Sequence, residues 1–313
     1  MQNLIYNTPD FLIIGAARSG TTWIYENLKR NNQIWLPPNK EIHYFDRDIK
    51  YDSPSILYDD KFLKRLFSRE NYNKVFRKKM INSFKSCAAN LNFKKLLWFI
   101  RYYCYNYDDS WYLSLFNAGI GKIRGDITPG YQLLDDKDIA HLHKIMPNIK
   151  LILILRNPIY RTWSQLRKNK QSKLPINEIK KIINSPGITD RNDYLKTLNK
   201  YKKYFPEKNI AVYYFYELAK NPQKFLSNLH KFINVKFDPS SMIDKKINSA
   251  PPGNIPVKTE LLLIENILPL LRNLDKGFGG IASRWLKEAE IRYSQLMHEH
   301  DHLSAHFQTK EQF

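Results

Sequence analysis

Two unbroken apolar runs, Phe11-Leu-Ile-Ile14 and Leu151-Ile-Leu-Ile-Leu155, stand out from a chain that is otherwise amphipathic. Runs of that length without polar alternation predict strands buried on both faces of a parallel sheet. They anchor strands near 10–15 and 149–155, and weaker strand signals fall near 33–36, 122–126 and 209–214. Helix-period segments follow at about 21–30, 136–146, 159–169, 191–204 and 222–233. Strands alternating with helices predict an α/β fold: a central parallel sheet flanked by helices. Residues 57–118 interrupt the rhythm. They are rich in Lys, Phe, Tyr and Trp and predict two or three helices, including the amphipathic segment Leu96–Cys104. An insertion there could wall a substrate cleft, although helical packing accounts for any single aromatic. Beyond 257, Leu261–Leu274 and Ala282–Met297 are candidate helices, Pro269 is expected to kink or split the first, and the last dozen residues are expected to fray. The reading is one domain, 1–313, with a helical insertion at about 57–118 and a helical tail at about 257–313.

The first apolar run leads into Gly15-Ala-Ala-Arg18-Ser19-Gly20-Thr21-Thr22-Trp23. A strand, a Gly-bounded loop and a helix start together make a phosphate cradle, because loop amides and the positive end of the helix converge on one spot. A Walker loop would continue with Lys and then Ser or Thr to hold terminal phosphates and Mg²⁺. Here Gly20 is followed by Thr21 and Thr22, and the cation sits earlier, at Arg18. The loop is therefore expected to hold a phosphate without a Walker lysine and without a metal. The second run ends at Arg156, just where ligands bind in open α/β sheets, and Ser164 follows in the first turns of the next helix. Arginine would give a charge-assisted fork to a phosphate and serine one further hydroxyl.

These two motifs resemble those of the sulfotransferases that use 3′-phosphoadenosine 5′-phosphosulfate, whose fold is P-loop NTPase-like. The resemblance implies that Arg18, Ser19, Gly20, Thr21 and Thr22 hold the 5′ side of the donor, that Trp23 stacks on adenine, and that Arg156 and Ser164 bind the 3′-phosphate. Asn157-Pro158 and Arg161 fit the same wording, as do Tyr194, Leu198, Tyr201 and Phe205-Pro206 ahead of the strand at 209–214. Asn248–Gly253 resembles a late loop that closes over the donor. Lys40-Glu41-Ile42-His43-Tyr44-Phe45-Asp46 resembles the segment of the glycan-modifying members in which a glutamate is the base. That implies Glu41 as base, with Lys40 facing the transferring group or an acidic acceptor; His43, two residues on, is the second candidate. If the segment is extended, Glu41 and His43 share a face. Gly125-Asp126-Ile127-Thr128-Pro129-Gly130-Tyr131, with Trp111-Tyr112 upstream, resembles a further family passage. Ile127 stands there in place of the lysine of the heparan-type enzymes, which weakens heparan specificity.

The expected activity is sulfuryl transfer to a hydroxyl, releasing adenosine 3′,5′-bisphosphate, with a glycan or glycolipid acceptor. The alternatives are a small lipid, phenol or polyketide-like acceptor with His43 as base, a P-loop nucleotide kinase, and a non-catalytic basic binding protein. A formal charge of +20 suits anionic ligands. Runs such as Arg77-Lys78-Lys79 and Lys94-Lys95 read as solvated faces, and no nucleic-acid fingerprint occurs. Two cysteines, Cys87 and Cys104, are too few for a disulfide framework, and His43, His141 and His143 lack zinc-ligand spacing. With neither a signal peptide nor a long apolar run, the expected location is cytoplasmic, with peripheral membrane contact left open.

Overall fold

The structure is a computed structural model describing residues 8–51, 55–243 and 254–308. In chain order it runs β1 (Phe11–Gly15), α1 (Thr21–Leu28), β2 (Ile34–Trp35), α2 (Phe62–Phe67), α3 (Asn71–Ala89), α4 (Phe93–Cys104), α5 (Asp109–Ser114) and β3 (Ile123–Ile127). Then follow α6 (Asp136–Ile145), β4 (Lys150–Leu155), α7 (Pro158–Lys168), α8 (Ile176–Ile183), α9 (Pro186–Asn192) and α10 (Tyr194–Lys202). The chain ends with β5 (Ile210–Tyr214), α11 (Phe215–Lys220), α12 (Pro222–Phe232), α13 (Val257–Phe278) and α14 (Ile281–Gln308).

All five strands pair in parallel, in the order β2-β3-β1-β4-β5. β3 and β4 flank β1 on opposite sides and the chain changes direction across the sheet there, so the first loop lies at a switch point, where open α/β folds bind ligands. β1 is buried throughout. Its Phe11 and Ile13 join Ile152 and Ile154 of β4, Ile24 and Leu28 of α1, and Phe225 and Leu229 of α12 in one core. The alternate residues Leu12, Ile14, Leu151 and Leu153 are equally buried, which is why both strands lack polar alternation. Gly125 of β3 pairs with Phe11, and a Cβ there would meet the Phe11 ring at 2.2 Å. Only glycine lets the ring lie across the strand.

The chain divides into two compact units, Met1–Leu155 with Asn199–Asn248, and Arg156–Leu198 with Ser249–Phe313. The sheet belongs to the first. The second is helical, with α13 packed on α7, α8 and α14.

Several elements differ from the sequence expectation. The insertion forms four α-helices rather than two or three. The single helix expected at 191–204 is two, because Asp193 ends α9 and its Oδ1 accepts the Lys196 N–H at 2.9 Å, opening α10. α13 runs unbroken through Pro269: the buried stripe Leu263, Ile267, Leu271 and Leu274 holds it together despite the missing donor. α14 continues to Gln308, past the expected end at Met297 and into the stretch expected to fray. The expected closing loop at Asn248–Gly253 lies outside the described residues. Among the described residues, no helix is long and apolar enough to cross a membrane.

Candidate active site

The loop after β1 is set by two left-handed residues, Arg18 at φ 70° and Gly20 at φ 83°. Gly20 is the N-cap of α1, and no side chain caps the helix. Its first-turn amides therefore keep their capacity for an anion. A Cβ on Gly20 would lie 3.2 Å from Leu218 and Phe215 of α11, so the loop is backed by packed side chains. Ser19 is fully buried, and its Oγ has no hydrogen-bond partner among the described residues. A buried hydroxyl left unpaired is costly unless a ligand completes it. The orphan hydroxyl and the uncapped helix both fit a phosphate or sulfate oxygen. Thr21 is buried, Thr22 is half-buried, and Trp23 lies within the hydrophobic core.

α1 also reaches the second cluster, through a 2.7 Å hydrogen bond donated by Tyr25 OH to the Pro37 carbonyl. Just beyond, four side chains form a chain of charges. Lys40 Nζ pairs with Glu41 Oε1, the other Glu41 oxygen lies 3.4 Å from His43 Nε2, and His43 Nδ1 meets Asp46 Oδ2 at 2.9 Å. Glu41 and His43 do come together, but not on an extended segment: their φ angles are 68° and 57°. Left-handed backbone on each side of Ile42 curls the segment so that the two side chains converge. Glu41 is the most open of the four, its side chain 38% exposed against none for Asp46.

The group that holds this curl is one that sequence reasoning left without a role. Asp126 on β3 is buried and accepts hydrogen bonds from Thr128 Oγ1 at 2.7 Å, Tyr131 OH at 3.0 Å and Tyr112 OH at 3.2 Å. Two of those hydroxyls in turn accept backbone amides of the curl, Ile42 N–H on Thr128 Oγ1 at 3.0 Å and Tyr44 N–H on Tyr131 OH at 3.2 Å. The signal is the passage Gly125–Tyr131, in which Asp126 and Thr128 each stand between non-polar neighbours.

Burial alone would raise the Glu41 carboxyl, but the His43 hydrogen bond and the Lys40 charge outweigh it and hold the carboxyl down at about 2. Burial would likewise lower the His43 imidazole, yet the charge and hydrogen bond of Asp46, then those of Glu41, push it up to about 9. The resting pair is thus carboxylate and imidazolium. Burial dominates at Asp126 and raises it to about 6 despite its three donors.

Beside Tyr44 and Phe45 opens a cavity of about 590 Å³, walled by Arg47, Tyr58, Asp60, Lys64 and His141. Tyr58, Asp60 and Lys64 of the insertion supply part of this wall, and Glu41 and the loop residues Arg18 to Thr22 do not line it.

In the second unit, Arg156 directly precedes α7 and its carbonyl accepts Tyr194 OH at 2.7 Å. Asn157 caps α7, its Oδ1 accepting the Ile159 N–H at 3.0 Å, and Ser164 is buried two turns in. Arg161 is fully buried, donating to Asn192 Oδ1 and to the Ile188 carbonyl at 3.2 Å, so its role is to pack α7 on α9. Among the described residues, no cluster of His, Cys, Asp or Glu could hold a metal ion.

A family model described as "Sulfotransferase family" matches residues 9–239. The fold is similar to that of a sulfotransferase from Alicyclobacillus acidocaldarius, with 18% identity, a TM-score of 0.52 and coverage of 93% of this chain and 96% of that one. Two other solved structures score lower. The sulfotransferase domain of the curacin biosynthetic pathway is 15% identical at TM-score 0.47, covering 75% and 76% of the two chains. That of the Synechococcus PCC 7002 olefin synthase is 16% identical at 0.46, covering 84% and 96%. No curated protein matches the sequence.

Proposed function

The chain belongs to the sulfotransferase family, and on that premise we propose that it moves the sulfuryl group of 3′-phosphoadenosine 5′-phosphosulfate onto a hydroxyl of a glycan or glycolipid, with Glu41 as base. The observation that carries the assignment of the base is the chain Lys40–Glu41–His43–Asp46, in which the most open member is an ionised carboxylate. The donor supplies an electrophilic sulfur and a phosphate leaving group. Ser19, Gly20, Thr21 and Thr22 hold the leaving phosphate, and the orphan Ser19 hydroxyl supports that role. Arg18 stabilises charge as it builds on the leaving side; a guanidinium keeps its proton, so its part is electrostatic. Lys40 pairs with Glu41 at rest, and its proposed part is to meet the transferring group or an acidic acceptor. Arg156 and Ser164 bind the 3′-phosphate. Trp23, at the start of α1, is the residue proposed to stack on adenine, and most of its ring is buried in the core.

Glu41 accepts the hydroxyl proton late. As the S–O bond forms, the attacking oxygen turns strongly acidic, so a carboxylate of low basicity suffices. The glycan or glycolipid acceptor rests on the resemblance of Lys40–Asp46 to the segment of the glycan-modifying members, and Lys40 beside Glu41 supplies a cation for a hydroxyl-rich or acidic acceptor.

Adenosine 3′,5′-bisphosphate is expected to bind without Mg²⁺ and to stabilise the fold by about 2.7 kcal/mol at a hundredfold excess over Kd. ATP, lacking the 3′-phosphate, is expected to stabilise it less. Thermal melts with equal shifts for the two ligands would refute the donor assignment. Within it, Arg156→Ala is expected to cost about 2–3 kcal/mol of bisphosphate affinity and Ser164→Ala about 1, since only the first removes charge-assisted bonds. Titration calorimetry that finds normal affinity in both variants rules out the 3′-phosphate site.

A further inference from the structure

The α3–α4 hairpin carries a surface that sulfuryl transfer does not use. Lys74, Arg77, Lys78, Lys79 and Lys85 lie on α3 and Lys94, Lys95 and Arg101 on α4, with no Asp or Glu between Glu70 and Asp108. One face of α4, Trp98, Phe99, Tyr102 and Tyr103, is buried. The opposite stripe, at i, i+4 and i+7, is apolar as well: Phe93 is 69%, Leu97 67% and Ile100 37% exposed. Leu91, in the turn between the helices, is 76% exposed.

Leu91 is also in the wrong place for a residue chosen by the fold. It follows the C-cap Asn90 at φ 48°, with its N–H donated to the Ala88 carbonyl at 3.1 Å and the Asn92 N–H donated to Cys87 at 3.0 Å. That is a Schellman stop, whose left-handed residue is usually glycine or asparagine. A leucine there strains the backbone and spends a large apolar side chain on water. Asparagines flank it on both sides, so the polar alternative was at hand.

We propose that this hairpin tip docks on an anionic lipid surface, with Leu91, Phe93 and Leu97 entering the acyl boundary and Lys85, Lys94 and Lys95 lying among the headgroups. Charge selects this occupant. A second copy of the chain would bring one acid-free basic hairpin against another, whereas an anionic leaflet complements the lysines while the apolar stripe is buried. The runs that read from sequence as solvated faces are the flanks of this surface. The proposal does not rest on the reaction assigned above.

The test is sedimentation of the full chain with phosphatidylcholine vesicles, pure or with roughly one-third phosphatidylglycerol. Partitioning onto the anionic vesicles is expected to be at least about tenfold stronger and to weaken in high salt. Leu91→Asn/Phe93→Ser/Leu97→Ser is expected to lose that binding with an unchanged bisphosphate-induced melting shift, or an unchanged far-ultraviolet spectrum and melt if the bisphosphate does not bind. Leu91→Gly alone is expected to raise Tm and reduce vesicle binding, the opposite signs separating docking from folding. Equal partitioning onto both vesicles, full binding by the triple variant, or a lower Tm for Leu91→Gly each overturns the proposal. So does a dimer in ultracentrifugation that the triple variant splits without any vesicle binding in the parent, which would assign the stripe to self-association.

Discussion

Glu41→Gln is expected to cut turnover by roughly 10²–10⁴-fold, the usual worth of a positioned general base, with bisphosphate affinity unchanged. Glutamine keeps the shape and can still accept from Lys40, but it cannot take the acceptor's proton. His43→Ala is expected to lose less, because His43 is nearly enclosed between Glu41 and Asp46 and acts by orienting the carboxylate. The two ionisations add a pH signature. An unperturbed glutamate and histidine would titrate near 4.5 and 6.5; these are moved to about 2 and about 9. The kcat/KM profile is therefore expected to show no inflection from His43 or Glu41 between those moved values, and in particular none near 6.5. Kinetics with a working acceptor, or donor hydrolysis to the bisphosphate as a substitute, measure both effects. An active Glu41→Gln beside a dead His43→Ala would transfer the role of base to His43 and the acceptor to the small-molecule class.

How much of this was legible depended on the range of the interactions. β1 and β4 were readable because burial on both faces leaves unbroken apolar runs, and the loop was readable because Gly-x-x-x-x-Gly at a strand end has a local geometric meaning. α11 was not: it begins directly after the aromatic strand β5, and six residues are too few to show a helical period. The α9–α10 break turned on one aspartate cap inside an otherwise helical pattern. At the site, the sequence offered Glu41 and His43 but predicted their meeting on extended backbone. The curl that joins them depends on hydroxyls more than eighty residues away, at Thr128 and Tyr131. A sequence gives no periodic trace of a bond across that distance. Asp46 shows the intermediate case: its spacing from His43 was visible, its burial was not.

The dependence on Asp126 leads to the second large effect. Asp126→Ala is expected to destabilise the first unit by on the order of 3–5 kcal/mol, because three buried hydroxyls lose their common acceptor in a site closed to water. Asp126→Asn keeps one acceptor oxygen and is expected to cost less. The asparagine variant also carries a pH signature. Below the ordinary aspartate value of 3.8 the carboxyl is protonated whether the chain is folded or not. Between that value and about 6, the folded state holds a proton that the unfolded state has released. The stability owed to this group is therefore fully present under acid conditions and is lost as the pH rises through about 6. The gap between parent and Asp126→Asn is accordingly expected to be larger near the acid limit than at neutrality. Glu41 loses its own contribution as the pH falls toward about 2, but it does so in both proteins and cancels in the difference. Urea titrations of the two proteins across this range measure the gap. Turnover supplies the functional half. If the clamp positions Glu41, Asp126→Asn lowers kcat by roughly tenfold or more with bisphosphate affinity intact, since the Thr128 and Tyr131 hydroxyls that accept the Ile42 and Tyr44 amides lose part of their anchor. A gap independent of pH would refute the buried titration. A variant with lowered Tm and full kcat would reduce Asp126 to a packing group and free the curl from its clamp.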